Sequence, residues 1–391
     1  MTSPHHRPLT KRSTDKRTLG RRGALLLGVG TLVAATVAQS EARPCSALPD
    51  PGDPASGPSP VKLKPVSHWT GVFLQSWEYA GQTGLPMSRS KDSQDHYDLA
   101  YTVDANVAMF RATGSLRYLD RALTFTENVV AASAPSGSLP HSQYRDGYRG
   151  WASSKSGQRG EEVPLYESYF WRYATQLLVA MRQSRGVYGN ATYRARYQRL
   201  LDFAETDVFA KWYARDPAST IFRERTHMAA HWALIALNLS QITPDAARRT
   251  RYQQVLGTIG AQIHNQMRRS PVNAAAYFWS DVWGSTRRPG QDVGHGNGVV
   301  AYVVEARDQN RGWTAADVRA LGVLLTRVIW PGGKTYHAYV DGTGSDNGWI
   351  ADGFVKLGRY DPNIQHRLES YQVVNDQFAA NMALNARILR S

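Results

Sequence analysis

A helical period with almost no β alternation runs through the chain from about residue 96 to the end, and it comes in pairs. Residues 96–113 space apolar side chains three and four apart and stop at Gly114, and residues 116–132 resume the pattern. The same pairing recurs in residues 163–185 with 192–212, 224–239 with 244–267, 293–308 with 315–330, and 349–357 with 365–389. Thr243 before Pro244 predicts an N-cap followed by proline at the first helical position. Only residues 335–340 alternate in the manner of a strand. Consecutive helical hairpins of this kind predict an all-α fold, an α/α toroid with an inner ring of helices, an outer ring, and loops converging on one face. An all-helical solenoid is the competing architecture, but no fixed repeat period links the hairpins.

The chain has 391 residues, with 11 Trp, 20 Tyr and 10 Phe, too many aromatics for a disordered chain. The single cysteine, Cys45, excludes a disulfide scaffold. A net charge of +14 invites a polyanionic partner, nucleic acid among others. Part of that charge sits in residues 1–42, which read as an export signal. Lys11, Arg12, Lys16, Arg17, Arg21 and Arg22 precede an apolar stretch at residues 23–38, and Ser40-Glu41-Ala42 offers a cleavage point. The Arg21-Arg22 pair resembles a twin-arginine signal, and the apolar stretch is short and weak for a membrane span. A secreted protein with no membrane span after processing is therefore expected, which makes nucleic acid an improbable partner. Residues 43–66 carry seven prolines and read as a linker. Residues 67–391 contain no second linker and are expected to form one domain, acting as a monomer.

Three constellations carry chemistry. In Arg223-Glu224-Arg225-Thr226-His227-Met228-Ala229-Ala230-His231, two histidines four apart share a helix face. The spacing is that of a zinc-binding HExxH helix, but Met228 stands where the glutamate would be, so no metal is expected. The bland alternative is a pair of histidines satisfied by neighbours. The second constellation is Gln291-Asp292-Val293-Gly294-His295-Gly296-Asn297-Gly298. Asp292 is a candidate N-cap, and glycines in the first turn suit a ligand or another backbone coming close, which makes His295 and Asn297 candidates. The third follows Arg268-Arg269: Tyr277, Trp279 and Trp283 form an aromatic cluster, either a sugar-stacking platform or core. Loops rich in Tyr, Trp, Arg and Gly add Tyr144 and Tyr148 as candidate substrate contacts, beside Arg225 and Arg269 as candidate carboxylate clamps. Residues 336–342 and 344–349 are loops of the same composition.

Two resemblances follow from these residues. The turn Thr113-Gly114-Ser115-Leu116-Arg117-Tyr118-Leu119-Asp120-Arg121-Ala122 resembles one common in the helical barrels of carbohydrate-active enzymes. The order of His, Arg and Tyr across the predicted helices resembles that of toroidal alginate and glucuronan lyases, over residues 66–391. That likeness implies β-elimination on a uronate polymer, with Asn297 neutralising the carboxylate, Tyr277 as base and acid, and His227, His231 or His295 assisting. His295 and Asn297 are separated by Gly296, a departure from the adjacent Asn-His of some such lyases. No cofactor is implied. Glycoside hydrolysis is the alternative, with Glu161, Glu162, Glu167, Asp292 and Asp352 as candidate carboxylates and no distinctive pair among them. A non-catalytic sugar-binding protein is the third reading.

Overall fold

The structure, a computed structural model, describes residues 61–285, 290–345, 349–372 and 374–391. The expected export signal, most of the proline-rich linker and part of the 344–349 loop lie outside the described residues. No helix among the described residues is long and apolar enough to cross a membrane.

Helices α1 (Val66–Leu74) and α2 (Trp77–Ser88) lead into the pair α3 (Ser93–Thr113) and α4 (Leu116–Ala131). Gly114 separates that pair with φ 72°, the left-handed C-cap at which a Cβ would be strained. Helix α5 (Pro164–Gln183) is followed by α6 (Arg185–Gly189), α7 (Ala191–Phe203) and α8 (Lys211–Arg215), the last two joined by a π-helical segment. The pairs α9 (Thr226–Ile242) with α10 (Ala246–Gln266) and α11 (Val293–Asp308) with α12 (Ala315–Val323) come next. A 3₁₀ turn at Phe354–Arg359, α13 (Pro362–Leu368) and α14 (Asp376–Ile388) complete the chain. Two short antiparallel ribbons, β1 (Ala134–Pro135) with β2 (Arg149–Gly150) and β3 (Arg268–Arg269) with β4 (Tyr277–Phe278), decorate the loops.

The inner ring is α3, α5, α9, α11, the Phe354–Arg359 turn and α14, each packed on the next, with α14 closing back on α3. Its helices are buried all round: every residue of α5 from Tyr166 to Met181 is covered. Outer helices bury one stripe, as α10 does with Tyr252, Val255, Leu256, Ile259 and Ile263. The inner helices run parallel, because residues near the start of each meet residues near the start of the next: Tyr97 on Tyr169, Tyr169 on His231, His227 on His295. The fold is thus an α/α toroid, as the helical hairpins predict.

Several boundaries differ from the sequence reading. Thr243 ends α9, and the N-cap of α10 is Asp245, whose carboxylate accepts from Arg248 N at 2.9 Å. Asp245 is the better cap because it lies after Pro244, where the helical backbone begins. No strand forms at residues 335–340, where the backbone makes only isolated bridges, including Asp292 with Tyr339. The last hairpin is broken further: residues 349–357 contribute a 3₁₀ turn in place of an α-helix, and residues 365–389 divide between α13 and α14. Asn375 starts α14 by accepting from Phe378 N at 2.8 Å.

The short fifth element of the ring, Phe354–Arg359, is held by polar struts. Asn297 Oδ1 accepts from Gly353 N (2.8 Å) and Phe354 N (3.1 Å). Asn385 donates to Val355 O at 2.8 Å, and Lys356 pairs with Asp104 at 3.0 Å. Gly353 permits this approach: a Cβ there would stand 2.8 Å from Ala301 N of α11.

Candidate active site

The starts of four inner helices, α3, α5, α9 and α11, lie on one face, so their positive dipole ends point toward a common cleft. On α3, Asp92 caps the helix through Gln94 N (2.9 Å) and also holds Ser154 N (3.0 Å). His96 is satisfied by Ser90 O at 3.0 Å, lies edge-on to Trp151, and is pushed down to about 4 by burial. Tyr97 and Tyr101, one turn apart, face the cleft. The Tyr97 ring stacks on Tyr169 of α5 at 3.9 Å, Tyr101 meets Tyr169 edge-on at 5.5 Å, and Trp349 closes over Tyr101 at 6.3 Å.

Beneath Tyr169 lies the Arg172 guanidinium, 3.9 Å from its ring centre. Arg172 is fully buried and pairs with Asp352 at 2.7 Å, and the Tyr173 hydroxyl donates to the other Asp352 oxygen. Burial raises the hydroxyls of Tyr97, Tyr101 and Tyr169, so all three are protonated hydrogen-bond donors at neutral pH.

The opposite wall is histidine. His231 meets Tyr169 edge-on at 5.1 Å, His227 lies 6.0 Å from His231, and His295 lies 4.4 Å from His227. Burial, followed by the neighbouring His295, depresses His227 to about 3, and burial with Arg172 drives His231 well down. Both rings are therefore neutral. His295 is different: nearly half its side chain is exposed, and its Nδ1 stands 2.8 Å from Asp292 Oδ2. That hydrogen bond raises His295 above the ordinary imidazole value despite burial. For Asp292 burial opposes ionisation, and His295 overcomes it, holding the carboxyl at about 2. The same Asp292 caps α11 through His295 N at 3.0 Å. Asp292 and His295 thus form a carboxylate–imidazole dyad, with Nδ1 occupied and Nε2 left for proton transfer.

The sequence candidates divide. His227, His231 and His295 come together at the cleft, with Arg225 at its rim in an exposed ion pair with Asp281. Asn297 is a correction. Its amide nitrogen donates to Val293 O (3.1 Å), Gly294 O (3.3 Å) and Trp349 O (2.7 Å) and its oxygen accepts two backbone N–H groups, which leaves no capacity for a carboxylate. Tyr277 lies on β4, where its hydroxyl donates to Asp317 of outer helix α12 at 2.9 Å and Arg269 covers its ring at 4.9 Å. Tyr277 and Arg269 therefore form a pair on the β3–β4 ribbon, outside the ring of cleft side chains. Trp279 is fully buried in the core and is no stacking surface. Tyr144 and Tyr148 flank Arg215, at 3.8 and 5.8 Å, in a loop cluster over α8. The hydrolysis candidates Glu162 and Glu167 are buried around Lys211, at 3.4 and 2.8 Å, and Asp352 is taken by Arg172.

Tyr97, Tyr101, Tyr169 and the pairing of Asp292 with His295 are site features absent from the sequence candidates, whereas Trp349 belongs to the aromatic loop at residues 344–349. The spacing of Tyr97 and Tyr101, and of Tyr166, Tyr169 and Tyr173, puts each set on one helical face, and that signal was available. Asp98, next to Tyr97 on α3, is raised to about 6 by loss of hydration and then by Asp95 and Asp92. Among the described residues, no group of three or more His, Cys, Asp or Glu side chains is placed to hold a metal ion.

The chain matches no family model. It also matches no curated protein. It is similar to the solved structure of the GH76A α-1,6-mannanase from Salegentibacter sp. HEL1_6, with a TM-score of 0.42 and 11% identity over 81% of this chain and 100% of that one. A glycosyl hydrolase family 88 protein from Bacteroides vulgatus gives 0.37 and 12%, over 84% of this chain and 99% of that one. A polysaccharide lyase gives 0.32 and 11%, over 74% and 88%. These likenesses are remote, and the toroid rests on the closed ring of helices described above.

Proposed function

We propose that this chain is a carbohydrate-active enzyme that cleaves an acidic, uronate-containing polysaccharide by β-elimination, with the Asp292–His295 dyad as its proton-transfer group. The observation that carries the reading is that dyad, set opposite stacked tyrosines where the positive ends of four helices meet.

In this reading a uronate carboxylate lies toward the helix starts, with Arg225 and the half-buried Arg223 at the rim drawing its charge. Neutralising that carboxylate acidifies the C5 proton. His295 Nε2 accepts the proton, the C5–H electron pair becomes the C4–C5 double bond, and the C4–O bond breaks. A tyrosine hydroxyl at the cleft protonates the leaving oxygen and is reprotonated from His295. Tyr97, Tyr101 and Trp349 supply rings for sugar stacking. The basic and apolar start of the sequence supports export, and we read the enzyme as acting outside the cell as a monomer.

Hydrolysis stays as a second reading because Asp98, raised to about 6, and Asp292, held at about 2, hold protons with the unequal strength that an acid and a base need.

One assay separates the readings. The purified protein is offered alginate, glucuronan, hyaluronan and ulvan, and both reducing ends and the ultraviolet absorbance of unsaturated uronate are followed. New ends with rising absorbance support elimination. New ends without it overturn elimination in favour of hydrolysis. Binding without new ends overturns both in favour of a non-catalytic sugar-binding protein.

A further inference from the structure

The opposite end of the ring, where the inner helices finish, holds a cavity of about 200 Å³ between α3, α5, α9 and α11. Its floor is buried: Gln176, Asn238 and Glu305 are 5%, 1% and 5% exposed. Val179 and Ala180 form an apolar side.

Most polar groups there are already engaged. Asn238 donates to Thr175 Oγ1 at 3.0 Å. Glu305 and Asp308 share Arg359, at 3.2 and 2.7 Å. Two groups are left over and a third, Arg111, is only loosely paired. Gln176 Nε2, buried and lining the cavity, has no hydrogen-bond partner among the described residues. Gln309 Oε1, on the same lining, also has none. Arg111 reaches Glu305 only at 3.6 Å, longer than a hydrogen bond. Arg359 engages both carboxylates from behind the lining, which leaves Arg111 and Arg311, at the rim, as the cations that face the cavity.

Buried donors and acceptors of this kind are normally satisfied. The volume is several times the ~30 Å³ that one water occupies. It is below the ~300–1,000 Å³ of pockets for larger ligands. We propose that this cavity is a second ligand site, taking one small hydroxylated carboxylate of the size of a single sugar acid. Arg111 takes the carboxylate, Gln176 and Gln309 take hydroxyls, and Val179 and Ala180 pack the carbon skeleton. The site lies away from the cleft and stands independently of the β-elimination reading.

The test is calorimetric titration of the whole protein with sodium D-glucuronate, with glucose as the uncharged comparison and a uronate trimer as the oversized one. Glucuronate is expected to bind more tightly than glucose, and the trimer is expected not to displace it. Gln176→Leu removes the free donor, and Ala180→Leu fills the cavity without touching a polar group; each is expected to weaken binding about tenfold or more. His295→Ala, in the cleft, is expected to leave it unchanged. Absence of glucuronate binding overturns the proposal. Binding lost in His295→Ala and kept in Ala180→Leu also overturns it, because the ligand then sits in the cleft. Neither result bears on whether polymer is cleaved by elimination.

Discussion

Asp292 performs two tasks with one carboxylate, and they can be separated by mutation. It caps α11 through His295 N, and it raises the imidazole it holds. A base must be deprotonated to act, and the raised His295 loses its proton only above the ordinary imidazole value of about 6.5. The acid limb of kcat/KM is therefore expected above that pH. Asp292→Asn keeps a capping oxygen but removes the charge, so the limb should move to lower pH while the maximum falls. An unmoved limb would show that another group titrates. His295→Ala should cost about 10²–10⁴ in kcat with little change in melting temperature, since the side chain is half exposed. The sequence shows Asp292 as a cap and His295 as a candidate, yet not their bond. Capping fixes the backbone, whereas the ring's rotamer toward its own cap depends on the surrounding walls. Tyr277 illustrates the converse, since its type suits the chemistry but an acceptor on an outer helix, Asp317, holds it.

At the level of elements, hairpins with caps and a terminating glycine are legible because local chemistry decides them: residues 293–308 match α11 end for end. The fifth inner element is not, because its conformation is imposed from outside. Phe354–Arg359 is gripped by Asn297, Asn385 and Asp104 from three neighbouring helices, and no local pattern announces that. Asn297 is accordingly expected to matter for stability first. Asn297→Ala leaves two buried N–H groups without their acceptor, at about 1–3 kcal/mol each. Differential scanning calorimetry should show a clearly lower melting temperature. A variant that melts normally and loses only turnover would return Asn297 to the role of substrate contact.

The molecule as a whole carries buried histidines that refuse protons. His96 is depressed to about 4, His227 to about 3, and His231 well down, all chiefly by burial. In the unfolded chain each takes a proton near its ordinary value. Their contribution to stability is complete above about pH 6.5 and declines as pH falls toward the folded values, by up to about 1.4 kcal/mol per pH unit for each. Glu167 and Asp352, raised by burial, work in the opposite direction at lower pH. Melting temperature is expected to fall from about pH 7 to pH 5. A replacement of His96 by Phe should flatten that slope, and a flat profile for the unaltered protein would exclude the account.

The ring is closed by its last helix, α14, lying against its first inner helix, α3. In folding terms this makes the chain a clasp: pairing Asp104 with Gln377 and Asn381 spans most of the sequence. Such a long-range contact forms late and slowly. During synthesis the earlier helices emerge with one flank of α3 uncovered, and the cleft acquires its full circle of walls only when residues 376–388 are available. Removing residues 376–391 should therefore abolish cooperative unfolding outright, with apolar dye binding in place of a sharp melt. The cleft and the integrity of the chain's far end are in this way one property.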